Sequence, residues 1–409
     1  MLWLLACYDP TPFPIEASSL DSSPVVPLPF SSEEALEGPE ERADAWIFSN
    51  DIVHQIEIHL GDAGRSALDA DPRTDAAAEV WYDGEPMGTV GLRLRGKIGS
   101  FRTLAGKPKF QIDLNQFVPE QRFYGLEGLS LNNLVVDCSA IKEPIAYRIF
   151  EEAGVPSLRT AYAQVTLDGV YYGLYLVVET PDDRYLDRVF EHPEGNLYDG
   201  KYVWYGGYNY TLLDFRTELV ELYQLEEGTD VGHADLQALT TAVETNWGTN
   251  NFMLGLTPYL RWDEYLMELA VEQLVGHNDG YALNTNNYRI YFDPSDGRAQ
   301  MLPWDFDYAF LVDSSWGMSW STPRGLLASG CYADPLCLSA LRGTVATLLE
   351  RVTEEKMLDW LEDAASQSSA LTLEDPRREC SAESVNDEQQ RLRSWVQERP
   401  AELRSFWGL

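Results

Sequence analysis

Apolar and polar residues begin to alternate at Ile56 in this 409-residue chain. Ile56, Ile58 and Leu60 interleave with Glu57 and His59, which predicts a strand and puts His54 and His59 on a surface strand. After the Asp83-Gly84 turn, Val90, Leu92 and Leu94 interleave with Gly91, Arg93 and Arg95. A loop of Gly, Ser and Lys follows, then Phe110, Ile112 and Leu114 alternate with Lys109, Gln111 and Asp113. These segments predict half-buried strands of an antiparallel sheet. Asp168-Gly169, between apolar runs at 161–167 and 170–178, is the strongest hairpin signal in the chain. Ser139 is suited to cap a helix running to about Ala153, with Ile141, Ile145 and Ile149 on one face and Gly154 and Pro156 ending it. The second half reads as mostly helical: 263–275, 341–366 and 384–398. A short strand at 287–292, the turn 293–297 and a strand reaching Pro303-Trp304-Asp305-Phe306-Asp307 interrupt it. The expected organisation is α+β, a strand-rich part over 46–180 and a mostly helical part over 181–409, with a cleft between.

The first 45 residues read differently. Residues 8–45 hold seven Pro, six Ser and nine acidic residues, the composition of an extended, self-repelling, disordered tether. Residues 1–7, ending Leu4-Leu5-Ala6-Cys7, are similar to the end of a bacterial lipoprotein signal, with Cys7 the residue that would be lipidated. The segment is too short for a whole signal peptide, so the true start codon is expected upstream. No later run approaches the roughly 20 apolar residues of a membrane span. The remaining cysteines, Cys138, Cys331, Cys337 and Cys380, are even in number and lack Cys-x-x-Cys spacing, which favours disulfides in an oxidising compartment over zinc. Cys331 and Cys337 are close enough to pair locally, although three pairings are open. Export with a lipid anchor in the cell envelope is the expected localisation.

Charge sharpens the functional reading. The chain has 30 Lys+Arg, 66 Asp+Glu and a formal net charge of −36, which disfavours nucleic acid and anionic lipid as partners. Against that background Arg93, Arg95, Lys97, Arg102, Lys107 and Lys109 form a basic island within 86–112, a span with no acidic residue. An anion, most simply a polyphosphate, suits such an island. Gly91-Leu-Arg-Leu-Arg-Gly96-Lys97 imitates a P-loop, but its alternation is that of a strand and Ile98 stands where a hydroxyl is required. Further on, Asp279 ends a helical segment and is followed by Asn284 and Asn287, the pairing that phosphoryl transfer uses for a hydroxyl-orienting base and a metal ligand. Asp305 and Asp307 would face the same way in an extended segment and could grip Mg²⁺. There is no Gly-x-Ser-x-Gly or His-Glu-x-x-His, and the five histidines are scattered.

Four spaced blocks resemble the spore-coat-protein-H (CotH) family of atypical kinases. They are Gly91–Phe117; Gly125-Leu126 to Leu131-Asn132-Asn133, Asp137 and Ser139; Leu167-Asp168-Gly169 through Tyr172-Gly173-Leu174-Tyr175 to Glu179; and Asn287-Tyr288 through Tyr291 to Pro303-Trp304-Asp305-Phe306-Asp307. Together they cover about residues 50–310. The resemblance implies an atypical protein-kinase-like two-lobe fold, with an antiparallel-sheet N-lobe and a helical C-lobe. It also implies transfer of phosphate from ATP to a protein Ser or Thr with Mg²⁺ (or Mn²⁺).

By the same resemblance Asp279 would be the catalytic base, Asn287 or Asn284 a metal ligand, and Asp305 the main metal ligand with Asp307 assisting. Lys109, with Lys107 as its rival, would contact the donor phosphates, and Glu143 would pair with that lysine. Arg95 and Ser100 would line the phosphate loop, and Glu179 would be structural or nucleotide-facing. Pro144 beside Glu143 is a departure from the expected pattern. Two other readings use the same residues: an enzyme of this fold transferring an adenylyl or glutamyl group, and a non-catalytic surface or assembly module. The protein substrate and oligomeric state are left open.

Overall fold

The computed structural model describes residues 43–205, 209–229, 232–312 and 317–409. Cys7, the lipoprotein-like start and nearly all of the predicted tether lie outside them. Packed structure already includes Asp44, fully buried and ion-paired to Arg159 at 2.9 Å, followed by a 3-10 turn at Ala45–Phe48.

Seven strands form the first part: β1 (His54–His59), β2 (Ala76–Tyr82), β3 (Glu85–Arg95), β4 (Lys109–Asp113), β5 (Gly128–Asn132), β6 (Thr160–Leu167) and β7 (Val170–Glu179). They do not make the purely antiparallel sheet expected. The order β1-β2-β3-β4-β5-β7-β6 closes into a barrel because β1 and β6 pair in parallel, His54 opposite Ala163 through Ile58 opposite Leu167. The other contacts are antiparallel, and closure removes the exposed edges an open sheet would leave. Alternation explains the interior: Ile56, Leu92, Phe110, Ile112, Leu129 and Val177 fill the barrel at no more than 1% exposure. Helix α1 (Gly61–Ala70) packs on β2. His54 is not a surface residue; it is fully buried, with Nδ1 2.6 Å from the Asp83 carboxylate.

Helix α2 (Lys142–Ala153) joins the barrel to the rest. Ser139 accepts the Ile141 N–H, but the first turn is held by Asp137, which accepts from Ser139 and from Lys142 N–H at 2.8 Å. Pro144 sits in that turn, where an N–H would have no helical partner anyway. Gly154, at φ +84°, closes the other end.

The second part is α3 (Asp183–Val189), α4 (Ala234–Asn246), α5 (Phe252–Leu256), α6 (Trp262–Val275), α7 (Tyr281–Asn284), α8 (Leu326–Ala333), α9 (Pro335–Arg351), α10 (Glu354–Glu374) and α11 (Ala382–Trp407). It also carries strands β8 (Asn196–Gly200), β9 (Val203–Tyr205), β10 (Asn209–Thr211), β11 (Gln224–Glu227), β12 (Tyr288–Phe292) and β13 (Ala299–Pro303). These make a four-stranded sheet, β11-β8-β12-β13, and a β10-β9 ribbon. The helical stretch expected over 341–366 is divided: α9 ends at Arg351, and the Thr353 hydroxyl accepts the Lys356 N–H to start α10. Helix α6, buried on nearly every side, is the axis of this second core, packed against α9, α2 and β13.

Both disulfides form. Cys331–Cys337 is the local pair, and Cys138–Cys380 ties the loop before α2 to the α10–α11 linker. Among the described residues no helix is long and apolar enough to cross a membrane.

Candidate active site

The outer face of the barrel forms one wall of the site. Because Phe110 and Ile112 point inward, Lys109 and Gln111 on β4 point outward, and Arg95 on β3 lies opposite Lys109 in register. Ser130 on β5 donates to Gln111 and accepts from Arg95 Nη1; Asn132, at the end of β5, donates from Nδ2 to both oxygens of Glu143 on α2, at 2.8 and 3.0 Å.

The facing wall comes from the second part. After β13 the chain turns sharply at Asp305, which has φ +52°, a left-handed conformation that Asp tolerates better than most residues. The Tyr147 hydroxyl accepts the Asp305 N–H at 3.3 Å, and the Trp304 N–H donates to the Asn287 carbonyl. The segment is therefore not the extended one that the Asp-x-Asp spacing suggested. Both carboxylates nonetheless reach Lys109: its Nζ is 3.0 Å from Asp307 and 3.5 Å from Asp305.

Asp279 stands in the loop after α6, which Gly276 ends at φ +58°. Its carboxylate accepts from the amides of Asn284 (2.6 Å), Asn286 (3.2 Å) and Asn287 (3.1 Å). Asn287 also donates to the Asp305 carbonyl at 3.2 Å, so it links the Asp279 loop to the Asp305 turn.

The electrostatics follow from burying several charges together. Burial opposes ionisation of Asp305, but Lys109 and Arg95 overcome it and hold its carboxyl below the ordinary range. Burial and the Asp305 charge push Asp307 up to about 7. Burial, then Asp305, push Glu143 up to about 8. Burial raises Asp279 to about 6 against the pull of its three amide donors. Lys109, despite burial, is driven above its usual value by Asp305 and Asp307 and stays charged.

The predicted residues separate into two sets. Arg95, Lys109, Glu143, Asp279, Asn284, Asn287, Asp305 and Asp307 come together. Glu143 does not take Lys109 as its ion-pair partner; it is held by Asn132, and Lys109 belongs to the two aspartates. Lys107 is elsewhere, 2.5 Å from Asp375 and over the Tyr175 ring. Glu179 is fully buried, gripped by Arg159 at 2.6 Å and Arg188 at 2.5 Å. Ser100 is buried in the β3–β4 loop, its carbonyl held by Asn133.

Much of the basic island is neutralised by acids distant in sequence: Arg93 by Asp75, Arg102 by Glu379 and Lys107 by Asp375. The reading from sequence passed over Arg289 on β12, whose guanidinium lies 4.1 Å from the centre of the Trp304 ring, with Arg95 over the same ring at 5.3 Å. An arginine between apolar neighbours in a strand looks like an outward charge, and only the sheet pairing shows it to be buried.

A family model described as CotH kinase protein matches residues 92–403. This chain belongs to that family. Inner spore coat protein H of Bacillus subtilis (strain 168) is a CotH relative 26% identical over 208 residues, 49% of this chain and 53% of the relative. The chain thus spans about half the length of that curated relative. Among solved structures, the Helicobacter pylori proinflammatory kinase CtkA is similar at TM-score 0.33 and 10% identity, over 72% of this chain and 90% of its own. HipA in the Shewanella oneidensis MR-1 HipA–HipB–operator DNA complex is similar at TM-score 0.32 and 15% identity, over 76% and 68%. Membership in the CotH family includes the helices after residue 310, which the four sequence blocks did not reach.

A divalent cation fits the CotH site on its own chemistry. Asp305 Oδ1 is buried and has no hydrogen-bond partner among the described residues. Asp305 and Asp307 offer hard oxygen donors, the kind Mg²⁺ takes together with phosphate oxygens. Among the described residues no three His, Cys, Asp or Glu side chains gather as a ligand set, so the remaining donors would be an asparagine, the substrate phosphates and water.

Proposed function

We propose that this protein is an exported phosphotransferase that moves the terminal phosphate of ATP to a Ser or Thr hydroxyl of a protein. One observation carries the reading: Lys109 from the barrel and Asp305 and Asp307 from the second part meet in a buried cluster that leaves an Asp305 oxygen unspent, beside an Asp279 braced by three asparagines.

Mg²⁺ held by Asp305, Asp307 and Asn287 would neutralise charge on the phosphates. Asn287 is preferred to Asn284 because it touches both the Asp279 loop and the Asp305 turn. Lys109 would exchange part of its hold on the aspartates for donor phosphate oxygens. Asp279, ionised at neutral pH with its value near 6, would accept the proton of the attacking hydroxyl. The acceptor oxygen forms its bond to the γ-phosphorus as the bond to the β–γ bridging oxygen breaks, and ADP leaves. Glu143 would support Lys109 through space rather than by direct contact.

Export is supported by the two disulfides and the spore-coat relative. The lipid anchor at Cys7 and the tether remain part of the proposal. The test is titration of the whole chain with ATP, with and without Mg²⁺, beside Asp305→Ala, followed by mass analysis of any modified acceptor. Metal-dependent binding lost in the variant and a phosphate mass increment are expected. An adenylyl or glutamyl increment would reassign the transferred group, and absence of binding by folded protein would leave the surface-module reading.

A further inference from the structure

Beside the cleft lies a buried cation, Arg289, with unpartnered nitrogens among the described residues. Arg289 is 8% exposed, yet its Nε and Nη1 have no hydrogen-bond partner among the described residues. Four other arginines, Arg184, Arg261, Arg342 and Arg378, also bury a nitrogen with no hydrogen-bond partner among the described residues, although the Arg184 Nε is ion-paired to Asp44 at 3.4 Å. Each of those has a hydrogen bond or ion pair elsewhere on its guanidinium. The acid opposite Arg289 in register, Asp199 on β8, is engaged by Lys201 at 2.6 Å. What Arg289 does touch is the Trp304 ring, which orients the guanidinium without satisfying its N–H groups. Arg95 approaches the same ring from the barrel and is bonded to the neutral Ser130 hydroxyl. Two arginines from opposite walls thus flank the residue just before Asp305, and neither has a carboxylate within ion-pairing distance among the described residues.

A charged donor kept from water without a partner is costly to the free protein, and its retention is accounted for when a ligand supplies the acceptor. Planar guanidinium forks match phosphate oxygens. Resting on the function proposed above, we infer that Arg289, aided by Arg95 across Trp304, binds a phosphate group of the donor nucleotide, as a second phosphate contact beside Lys109. Free inorganic polyphosphate offers the same chemistry and is the alternative source.

The experiment compares the whole chain with Arg289→Met and Arg289→Gln for binding of Mg–ATP, Mg–ADP, AMP and Mg–tripolyphosphate, and follows thermal unfolding of each protein without ligand. Asp305→Ala serves as a parallel control. The expected result is a rise of about 10- to 100-fold in the ATP dissociation constant in both Arg289 variants, with unliganded unfolding temperatures equal to or above that of the parent. A merely structural arginine would instead lower the unfolding temperature. Loss confined to nucleotides identifies the nucleotide as the source; equal loss for tripolyphosphate identifies a seat that reads phosphate alone, and either supports the inference. Unchanged ATP binding in folded Arg289 variants, with binding lost in Asp305→Ala, overturns the role of Arg289 and leaves the kinase reading intact. Binding lost in the Arg289 variants but kept in Asp305→Ala does the reverse. A parent chain that binds none of the four compounds overturns both. If both Arg289 variants fail to fold, Arg95→Met is decisive: unchanged affinity for ATP and tripolyphosphate overturns the shared seat.

Discussion

Lys107 and Lys109 are two residues apart, are 4% and 3% exposed, and end in opposite situations. Lys107 meets one carboxylate, Asp375, which also accepts the Leu174 N–H at 3.0 Å. That carboxylate occupies the space a side chain on Gly173 would need, so the position, at φ +120°, takes glycine alone. The Lys107 cluster is balanced: one cation meets one anion at 2.5 Å. Lys109 meets two carboxylates and leaves an Asp305 oxygen over, with two arginines nearby that have no carboxylate within ion-pairing distance among the described residues. Burial alone does not separate structural from functional charge in this protein. The difference lies in the partners: one carboxylate for Lys107, two for Lys109.

The sharpest way to break this comparison is Asp279→Asn, which touches only the Lys109 cluster. Turnover should fall by about 10³-fold while Mg–ATP affinity stays within about threefold, read by steady-state transfer and titration. A comparable loss in affinity would mean that Asp279 holds donor rather than acceptor.

Lys107→Met tests the balanced cluster. Leaving Asp375 buried without its cation should lower unfolding free energy by about 3–5 kcal/mol in denaturant, with specific activity per folded molecule nearly unchanged. Adding Asp375→Leu should recover most of that loss. If activity falls faster than stability, Lys107 belongs to the site after all.

These two lysines also mark what could be read in the sequence. The Asp-x-Asp pair, Asp279 and the strand lysines stood out because their types and order match phosphoryl-transfer chemistry, and the structure brings most of them together. Choosing between Lys107 and Lys109 required Asp375, 268 residues from Lys107. Barrel closure was hidden because it depends on a parallel contact between β1 and β6, more than 100 residues apart, while each strand's alternation fits an open sheet equally well. Strand β8 was missed because its five residues are almost wholly buried and show no alternation. The α9–α10 break was not located because apolar periodicity continues across Val352 and only the Thr353 cap interrupts it.

Glu179→Gln probes a second buried ion-pair cluster. Its carboxylate is fully buried between Arg159 and Arg188, and neutralising it should cost about 2–3 kcal/mol of stability by denaturant titration, without altering ATP affinity. Altered affinity would show that the junction after β7 communicates with the cleft.

The smallest effect concerns a carboxylate completed by a proton. Burial pushes Glu272 on α6 up to about 8, against hydrogen bonds from the Tyr281 and Ala282 N–H groups. The folded protein therefore binds a proton that the unfolded chain releases near pH 4.5, so this contribution to stability shrinks as pH rises toward 8. The unfolding temperature should drop by a few degrees between pH 5.5 and 8.5, and Glu272→Gln should flatten that slope. An unchanged slope would assign the pH dependence to other buried acids.

The Cys138–Cys380 bond has a consequence for the integrity of the whole chain. With a sequence separation of 242 it closes a covalent ring containing the β6–β7 hairpin, α6, the Asp279 loop and the Asp305 turn. A protease that cuts once anywhere inside that ring, in the exposed segment around 226–229 for example, opens the chain without dividing it. The barrel strands before Cys138 and the last helix after Cys380 stay attached to both cut ends. In a compartment that contains proteases but keeps disulfides oxidised, the two walls of the cleft would survive a nick as one molecule.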